Sequence, residues 1–187
     1  MWRNRNALLF VSISFVSGFG ATAMRLAVSL WVLDLTGSPS LAALDGLCVF
    51  APTLAGPLLG AVVDRLPRKA LLVATNLGLA AALATLLAVG GRADVWLIYA
   101  VSLAYGFSYV LLDAGESALL PAALPDEILA QVNGVRMSAQ EGTKLFAPLA
   151  GAGLYALAGG ETVALATAAC LLVSAVARAT VLPPANA

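Results

Sequence analysis

Ionisable side chains are few in this sequence, and several of them fall within long apolar runs. Asp113 and Glu116 are three residues apart, a spacing that places both carboxyl groups on one face of a helix. Two neighbouring carboxylates disfavour double ionisation, so one of them can hold a proton. A proton-binding pair is therefore one interpretation of this spacing. The other is that Glu116, which lies near the end of its apolar run, is simply in contact with water.

A second set of polar residues follows further along the chain. Arg136, Gln140 and Lys144 repeat at four-residue spacing, and Glu141 precedes Lys144 by three residues. The spacing predicts an ion pair between Glu141 and Lys144 on one helix face. Such a pair neutralises charges that are costly inside a bilayer. These residues either line a central cavity, or the pair forms a structural bridge between helices.

Two more charges lie in the first two apolar runs. Arg25 is either a functional residue or a long side chain that reaches the membrane interface or pairs with Asp34 or Asp45. Asp45 lies about one helical turn inside the second run. We expect Asp45 to reach the near interface or a neighbouring charge, with a role in the substrate or proton pathway as the alternative.

The composition indicates which elements position these charges. Of the 187 residues, 61% are hydrophobic and 11% are charged, and the mean hydropathy is +0.94. Soluble domains are about 45–50% apolar, whereas runs of about 20 apolar residues can span a bilayer. The expected fold class is all-α, a single six-helix transmembrane bundle over residues 1–187. Its helices are predicted at about 7–35, 41–63, 70–89, 95–120, 132–158 and 162–181, with Gly56 and Gly60 at helix contacts.

The same composition argues against several classes of function. The net charge is zero, and the sequence has no basic face that would hold a nucleic acid backbone. The sequence contains no histidine, which removes histidine-based zinc sites and Ser-His or Cys-His catalysis. Cys48 and Cys170 lie in apolar runs and are interpreted as buried hydrophobic residues. We therefore expect no metal, no cofactor and no enzymatic activity.

Basic residues predict how the bundle is oriented, because Arg and Lys concentrate on the cytoplasmic side. Both termini are predicted to be cytoplasmic. This topology leaves only Arg92 in an outer loop and places six basic residues on the cytoplasmic side: Arg3, Arg5, Arg65, Arg68, Lys69 and Arg178.

The segment GAVVDRLPRK, between the second and third predicted helices, resembles the loop signature of the major facilitator superfamily. The matching residues are Gly60, Asp64, Arg65, Arg68 and Lys69. LWVLDLTGSPS (30–40) and SALLPAALPDEILAQVNG (117–134) are similar to the branch of siderophore, macrolide and multidrug exporters. Pro148 and Gly151 match a motif seen in the fifth helix of exporters. The likeness covers nearly the whole chain, but only the first half of a family member.

The resemblance implies two inverted repeats of three helices and alternating access in a bacterial cytoplasmic membrane. A small amphipathic molecule would be exported, with coupling to protons left open. The loop residues from Gly60 to Lys69 would hold the inner gate closed against a second six-helix half, from another copy or a separate chain. The alternative is a truncated or non-transporting six-helix subunit that packs against a partner protein in the lipid bilayer.

Overall fold

The computed structural model describes residues 4–63 and 65–180, and every regular element in these two ranges is helical. The α-helices are α1 (Arg5–Thr36), α2 (Pro39–Phe50), α3 (Gly56–Val63), α4 (Arg68–Thr85), α5 (Val95–Ala123) and α6 (Asp126–Ala179). Short 3-10 turns occupy Ala51–Ala55, Leu86–Ala88 and Arg92–Asp94. The expectation of an all-α chain is confirmed.

Five helical stretches in the described part of the chain are long and apolar enough to cross a membrane. They are Arg5–Thr36, Pro39–Ala61, Arg68–Ala88, Arg92–Ala123 and Asp126–Ala179. The second combines α2, the 3-10 turn around Pro52 and most of α3, so the predicted helix 41–63 is interrupted where proline removes a backbone donor.

Helix α6 folds back on itself. Its 54 residues would extend about 80 Å as a straight helix, far beyond a hydrocarbon layer of about 30 Å. Gly159 has non-helical angles (φ 77°, ψ 173°), a positive φ that glycine adopts without steric cost. Arg136 and Arg178 both bond to Glu116, although a straight helix would separate them by roughly 60 Å. The chain therefore reverses at Gly159 into two arms, 126–158 and 160–179.

Helix boundaries follow local chemistry and differ from two predictions. Helix α5 ends at Ala123 rather than near residue 120, because the Leu124 amide still donates to the Leu120 carbonyl at 3.1 Å. Helix α6 begins at Asp126 rather than near residue 132. Asp126 and Glu127 in its first turn favour this start, because carboxylates stabilise the positive end of a helix dipole.

The turn between α1 and α2 is built by residues with specific backbone preferences. Gly37 ends α1 at φ 67°, and its amide donates to the Leu33 carbonyl at 2.7 Å. Ser38 begins α2 by accepting a hydrogen bond from the Leu41 amide at 3.4 Å, and Pro39 occupies the first turn. These are the residues expected at a helix end and start.

Two apolar clusters mark the two ends of the bundle. At the amino-terminal end, Ala7 and Phe10 of α1 pack against Leu120 of α5 and Val132 of α6. The larger cluster toward the opposite end joins the second half of α1 with α4, the start of α5 and the second arm of α6. Successive spans therefore run in alternating directions.

Close helix contacts occur at glycines, but not at those that the sequence suggested. An added Cβ at Gly151 would lie 2.1 Å from the Ala23 carbonyl oxygen, and one at Gly160 would lie 2.1 Å from the Trp31 ring. At Gly56 and Gly60, an added Cβ would meet no described atom within 4 Å. The predicted packing role of Gly56 and Gly60 is therefore wrong within this chain, because α3 presents them to the outside.

Substituting Gly151 with alanine tests the contact between α1 and α6. Gly151→Ala is expected to destabilise the chain by about 1–3 kcal/mol, because the new methyl group meets backbone rather than a flexible side chain. Gly153→Ala on the same helix is the matched control, since nothing lies within 4 Å of its added Cβ. Thermal unfolding in detergent measures both variants. Equal melting temperatures for the two would contradict the proposed contact.

Candidate functional site

A cavity of about 410 Å³ lies between α1, α2, α5 and both arms of α6. Its walls combine small and aromatic residues with charges, which is unusual inside a bundle that is otherwise apolar. The charged side chains on its lining are Arg25, Asp113, Glu116, Glu141, Lys144 and Arg178. Five of these six were candidates from the sequence, and the structure brings them to one space.

Glu116 of α5 is the centre of a buried ion cluster. Arg136, from the first arm of α6, donates from Nη1 to Glu116 Oε2 at 2.5 Å, and Arg178 of the second arm bonds to Oε1. All three side chains are buried. Because Arg136 also donates to Asn133 Oδ1 at 3.2 Å, its guanidinium is held in position. This cluster ties α5 to both arms of α6.

The cluster changes the interpretation of Asp113 and Glu116. Glu116 is 5% exposed and bonded to two arginines, so the expectation that it lies in water is wrong. Asp113 is exposed at the cavity wall. The two carboxyl groups share a helix face but have different surroundings, and a shared proton between them stays a prediction.

Glu141 and Lys144 form the predicted ion pair. Lys144 Nζ lies 2.6 Å from Glu141 Oε1, and the side chains of Lys144 and Glu141 are 61% and 66% exposed. The pair lies within α6, so the alternative of a bridge between helices is wrong. Of the three residues at four-residue spacing, Gln140 and Lys144 line the cavity. The third, Arg136, does not line it and belongs to the Glu116 cluster.

Arg25 lines the cavity, where its functional alternative stays a prediction, and Asp45 is buried. The Arg25 guanidinium carbon lies 5.3 Å from the centroid of the Phe50 ring, a cation–π contact. Asp34 instead accepts a hydrogen bond from the Tyr155 hydroxyl at 2.7 Å. Asp45 is 3% exposed and accepts a hydrogen bond from Ser102, so the expectation that it reaches the interface is wrong.

The loop between α3 and α4 is described except for Asp64, which lies outside the described residues. Arg65, Arg68 and Lys69 are exposed. Arg68 Nη1 donates to the Ala118 carbonyl at 3.2 Å, next to the Glu116 cluster. The loop thus contacts α5 of its own bundle, and its role as a gate stays a prediction.

Of the two exporter-like residues of α6, Gly151 lies at a contact between helices. Pro148 is inside α6, where the helix continues through it. Gly151 lies against Ala23 of α1, as described above. Their positions explain a packing role near the cavity, whereas a role in export stays a prediction.

Sequence reasoning missed Arg178 as a site residue and used it only for orientation. A signal was present, because Arg178 falls inside the predicted helix 162–181 rather than after it, where its charge requires a partner. Glu116 was an acidic residue near the same predicted membrane side. The pairing needed the reversal of α6, which brings these distant segments together.

The all-helical fold with long apolar helices fits the family that comparison with known proteins identifies. Residues 10–187 match the family described as Major Facilitator Superfamily, and the chain belongs to this family of membrane transporters. It is similar to Macrolide efflux protein A of Streptococcus pyogenes and of its serotype M6 strain ATCC BAA-946 / MGAS10394. Each is 26% identical over 145 residues, which cover 76% of this chain. The match covers 36% of each relative, so the chain spans well under two thirds of their length.

Substituting Glu116 tests how much the buried cluster contributes to the free energy of unfolding. Glu116→Gln leaves two buried arginines without their carboxylate and is expected to destabilise the chain by about 3–5 kcal/mol. Asp113→Asn, one turn earlier on the same helix and exposed, is expected to stay within about 0.5 kcal/mol. Unfolding of both variants in detergent, followed by circular dichroism, gives the comparison. Equal stability of Glu116→Gln and wild type would show that the cluster contributes nothing to folding.

Proposed function

We propose that this chain is the amino-terminal half of an exporter that moves a small amphipathic molecule by alternating access. The cavity supports this most directly, because charged groups border a space of about 410 Å³ inside an apolar bundle. This volume falls within the range of small-molecule sites, about 300–1,000 Å³. The likeness to macrolide efflux proteins supports export rather than uptake.

The cavity wall supports an amphipathic substrate. Phe50, Tyr105 and Tyr109 present aromatic rings to the same space as Glu141 and Lys144. Aromatic surface binds the apolar body of a ligand, while a few polar groups fix its orientation. A molecule with an apolar body and a polar or charged group would use both parts of this wall.

The reversal at Gly159 supports six spans rather than five. Each arm of α6 runs in the opposite direction to the other, so the arms 126–158 and 160–179 are proposed as the fifth and sixth spans. Together with the four preceding stretches they make an even number. We propose that two inverted repeats of three spans build this bundle, as transporter folds often do.

A second six-helix half is proposed to cover the open side of the cavity. Lys144 and Glu141 are largely exposed on this chain alone, and hydrocarbon cannot solvate such a pair. Leu54 and Leu58 on the nearby second span are also exposed. A second copy or a separate chain would complete the pathway. The competing possibility, a non-transporting subunit, requires another membrane protein on the same face.

The basic residues support an inner, cytoplasmic position for the amino-terminal end of the bundle. Arg5 begins α1, Arg65 lies in the loop before α4, Arg68 and Lys69 begin α4, and Arg178 lies near the end of α6. Arg92 lies at the opposite end. By the positive-inside rule, we propose cytoplasmic termini in a bacterial cytoplasmic membrane.

Substituting Lys144 tests the transport function without disturbing the buried core. Lys144→Met in proteoliposomes that contain the chain with its second half is expected to lower the flux of a fluorescent amphipathic dye about tenfold. Such a loss corresponds to about 1.4 kcal/mol. Stability should change by less than about 1 kcal/mol, because the Lys144 ion pair is exposed.

Glu161→Gln is the matched control for this flux measurement. Glu161 is exposed on the second arm of α6, next to the reversal, and does not line the cavity. Its flux should equal that of wild type. If Lys144→Met transports the dye as fast as Glu161→Gln does, the cavity is not the transport site.

A further inference from the structure

The acidic side chains in and beside the cavity differ in how their charge is compensated. Glu116 bonds to two arginines, and Glu141 bonds to a lysine. Asp113 is exposed, so water can solvate it. Asp45 is 3% exposed and has no ion pair within the described residues, so the Arg25 charge acts on it only from beyond contact distance, beside the hydrogen bond from Ser102. Asp45 therefore differs from Glu116, Glu141 and Asp113, because its charge would be neither paired nor exposed to water.

The polar groups that face Asp45 come from three sources. They are Arg25 and Ser29 of α1, Tyr99, Ser102 and Tyr105 of α5, and Cys48 of α2 itself. Arg25 carries the charge in this set, and its guanidinium lies over Phe50 instead of pairing with Asp45. Because an unpaired buried charge is costly, the neutral, protonated carboxyl group suits this position. Ser102 donates a hydrogen bond that holds the side chain in place.

A small cavity borders Asp45 and has four lining residues in common with the large cavity. Its volume is about 20 Å³, enough for about one water molecule. The residues that line both cavities are Ala21, Arg25, Val49 and Tyr105. Arg25 and Tyr105 are thus the polar side chains shared by the small cavity at Asp45 and the space where a substrate would bind.

We propose that Asp45 is the proton-binding residue of the transport cycle and that Arg25 couples it to substrate binding. The proposal rests on the transport function proposed above. A substrate that takes the face of the Phe50 ring displaces the Arg25 guanidinium toward Asp45, where it stabilises the carboxylate. The O–H bond of the Asp45 carboxyl then breaks, and its proton passes to water in the small cavity. When the substrate leaves, Arg25 returns to Phe50 and the carboxylate takes a proton from water.

Infrared spectroscopy of the chain in lipid nanodiscs tests this directly, since a protonated carboxyl group has its own C=O stretching band. Wild type is expected to show this band at neutral pH, to lose it reversibly as the pH rises, and to shift it rapidly in D₂O. Asp45→Asn should lack the band, while its amide oxygen can still accept the Ser102 hydrogen bond. Asp113→Asn, the matched control, should retain it.

Arg25→Gln provides a second variant in case Asp45→Asn folds poorly, as judged by circular dichroism. Without the guanidinium, the band should persist to higher pH than in wild type. The proposal is overturned if wild type shows no such band, if a correctly folded Asp45→Asn retains it, or if the band neither titrates nor shifts in D₂O. An unchanged titration in Arg25→Gln would overturn the coupling role. These spectra involve no substrate, so their outcome is separate from that of the flux measurement. The Asp45 proposal can be overturned while dye flux is retained, and dye flux can be lost while the Asp45 band titrates as expected.

Discussion

The sharing of one buried carboxylate by two arginines is the interaction on which the rest of this structure depends. Glu116 meets Arg136 and Arg178 at the amino-terminal end of the bundle, and these come from opposite arms of α6. Burying three charges is expensive, and removing one partner leaves an uncompensated charge. The cluster therefore favours the arrangement in which α6 reverses and both arms lie beside α5. That arrangement also closes one end of the cavity, which Glu116 and Arg178 line.

Features governed by neighbouring residues were predictable from the sequence. The apolar character of the long segments followed from the sequence, and the gap predicted between residues 35 and 41 coincides with the turn at Gly37, Ser38 and Pro39. The Glu141–Lys144 pair followed from three-residue spacing on one helix. In each case the physical cause acts over a few residues, so no knowledge of the tertiary fold was needed.

Features governed by distant contacts were not predictable in the same way. Arg178 is 62 positions from Glu116 in the chain, and only the reversal at Gly159 brings them together. Asp45 was expected at the interface because its distance from the helix end was known, while the α5 surface that covers it was not. Gly56 and Gly60 had the spacing of packing residues, but a Cβ added at either would meet no atom of the described residues within 4 Å.

Two cavities with different chemistry lie next to each other in the bundle. On the α5 and α6 side, the wall of the large cavity carries the Glu141–Lys144 ion pair and the Glu116 cluster, which suit a polar group of a substrate. Beside it, between α1, α2 and α5, is the small cavity with Asp45 on its wall, and Arg25, whose guanidinium lies over the Phe50 ring, lines both. Because Arg25 borders both cavities, a change at the substrate site can reach the buried carboxyl group through one side chain.

The central claim is that this bundle is one half of a transport pathway, and native mass spectrometry of the chain released from nanodiscs tests it most directly. The account predicts a defined assembly, either a dimer or a complex with a second membrane chain, because the exposed Glu141–Lys144 pair needs a covering surface. A homogeneous monomer under gentle conditions would contradict it, since the cavity would then open to lipid and the loop at Arg65–Lys69 would have no second half to contact.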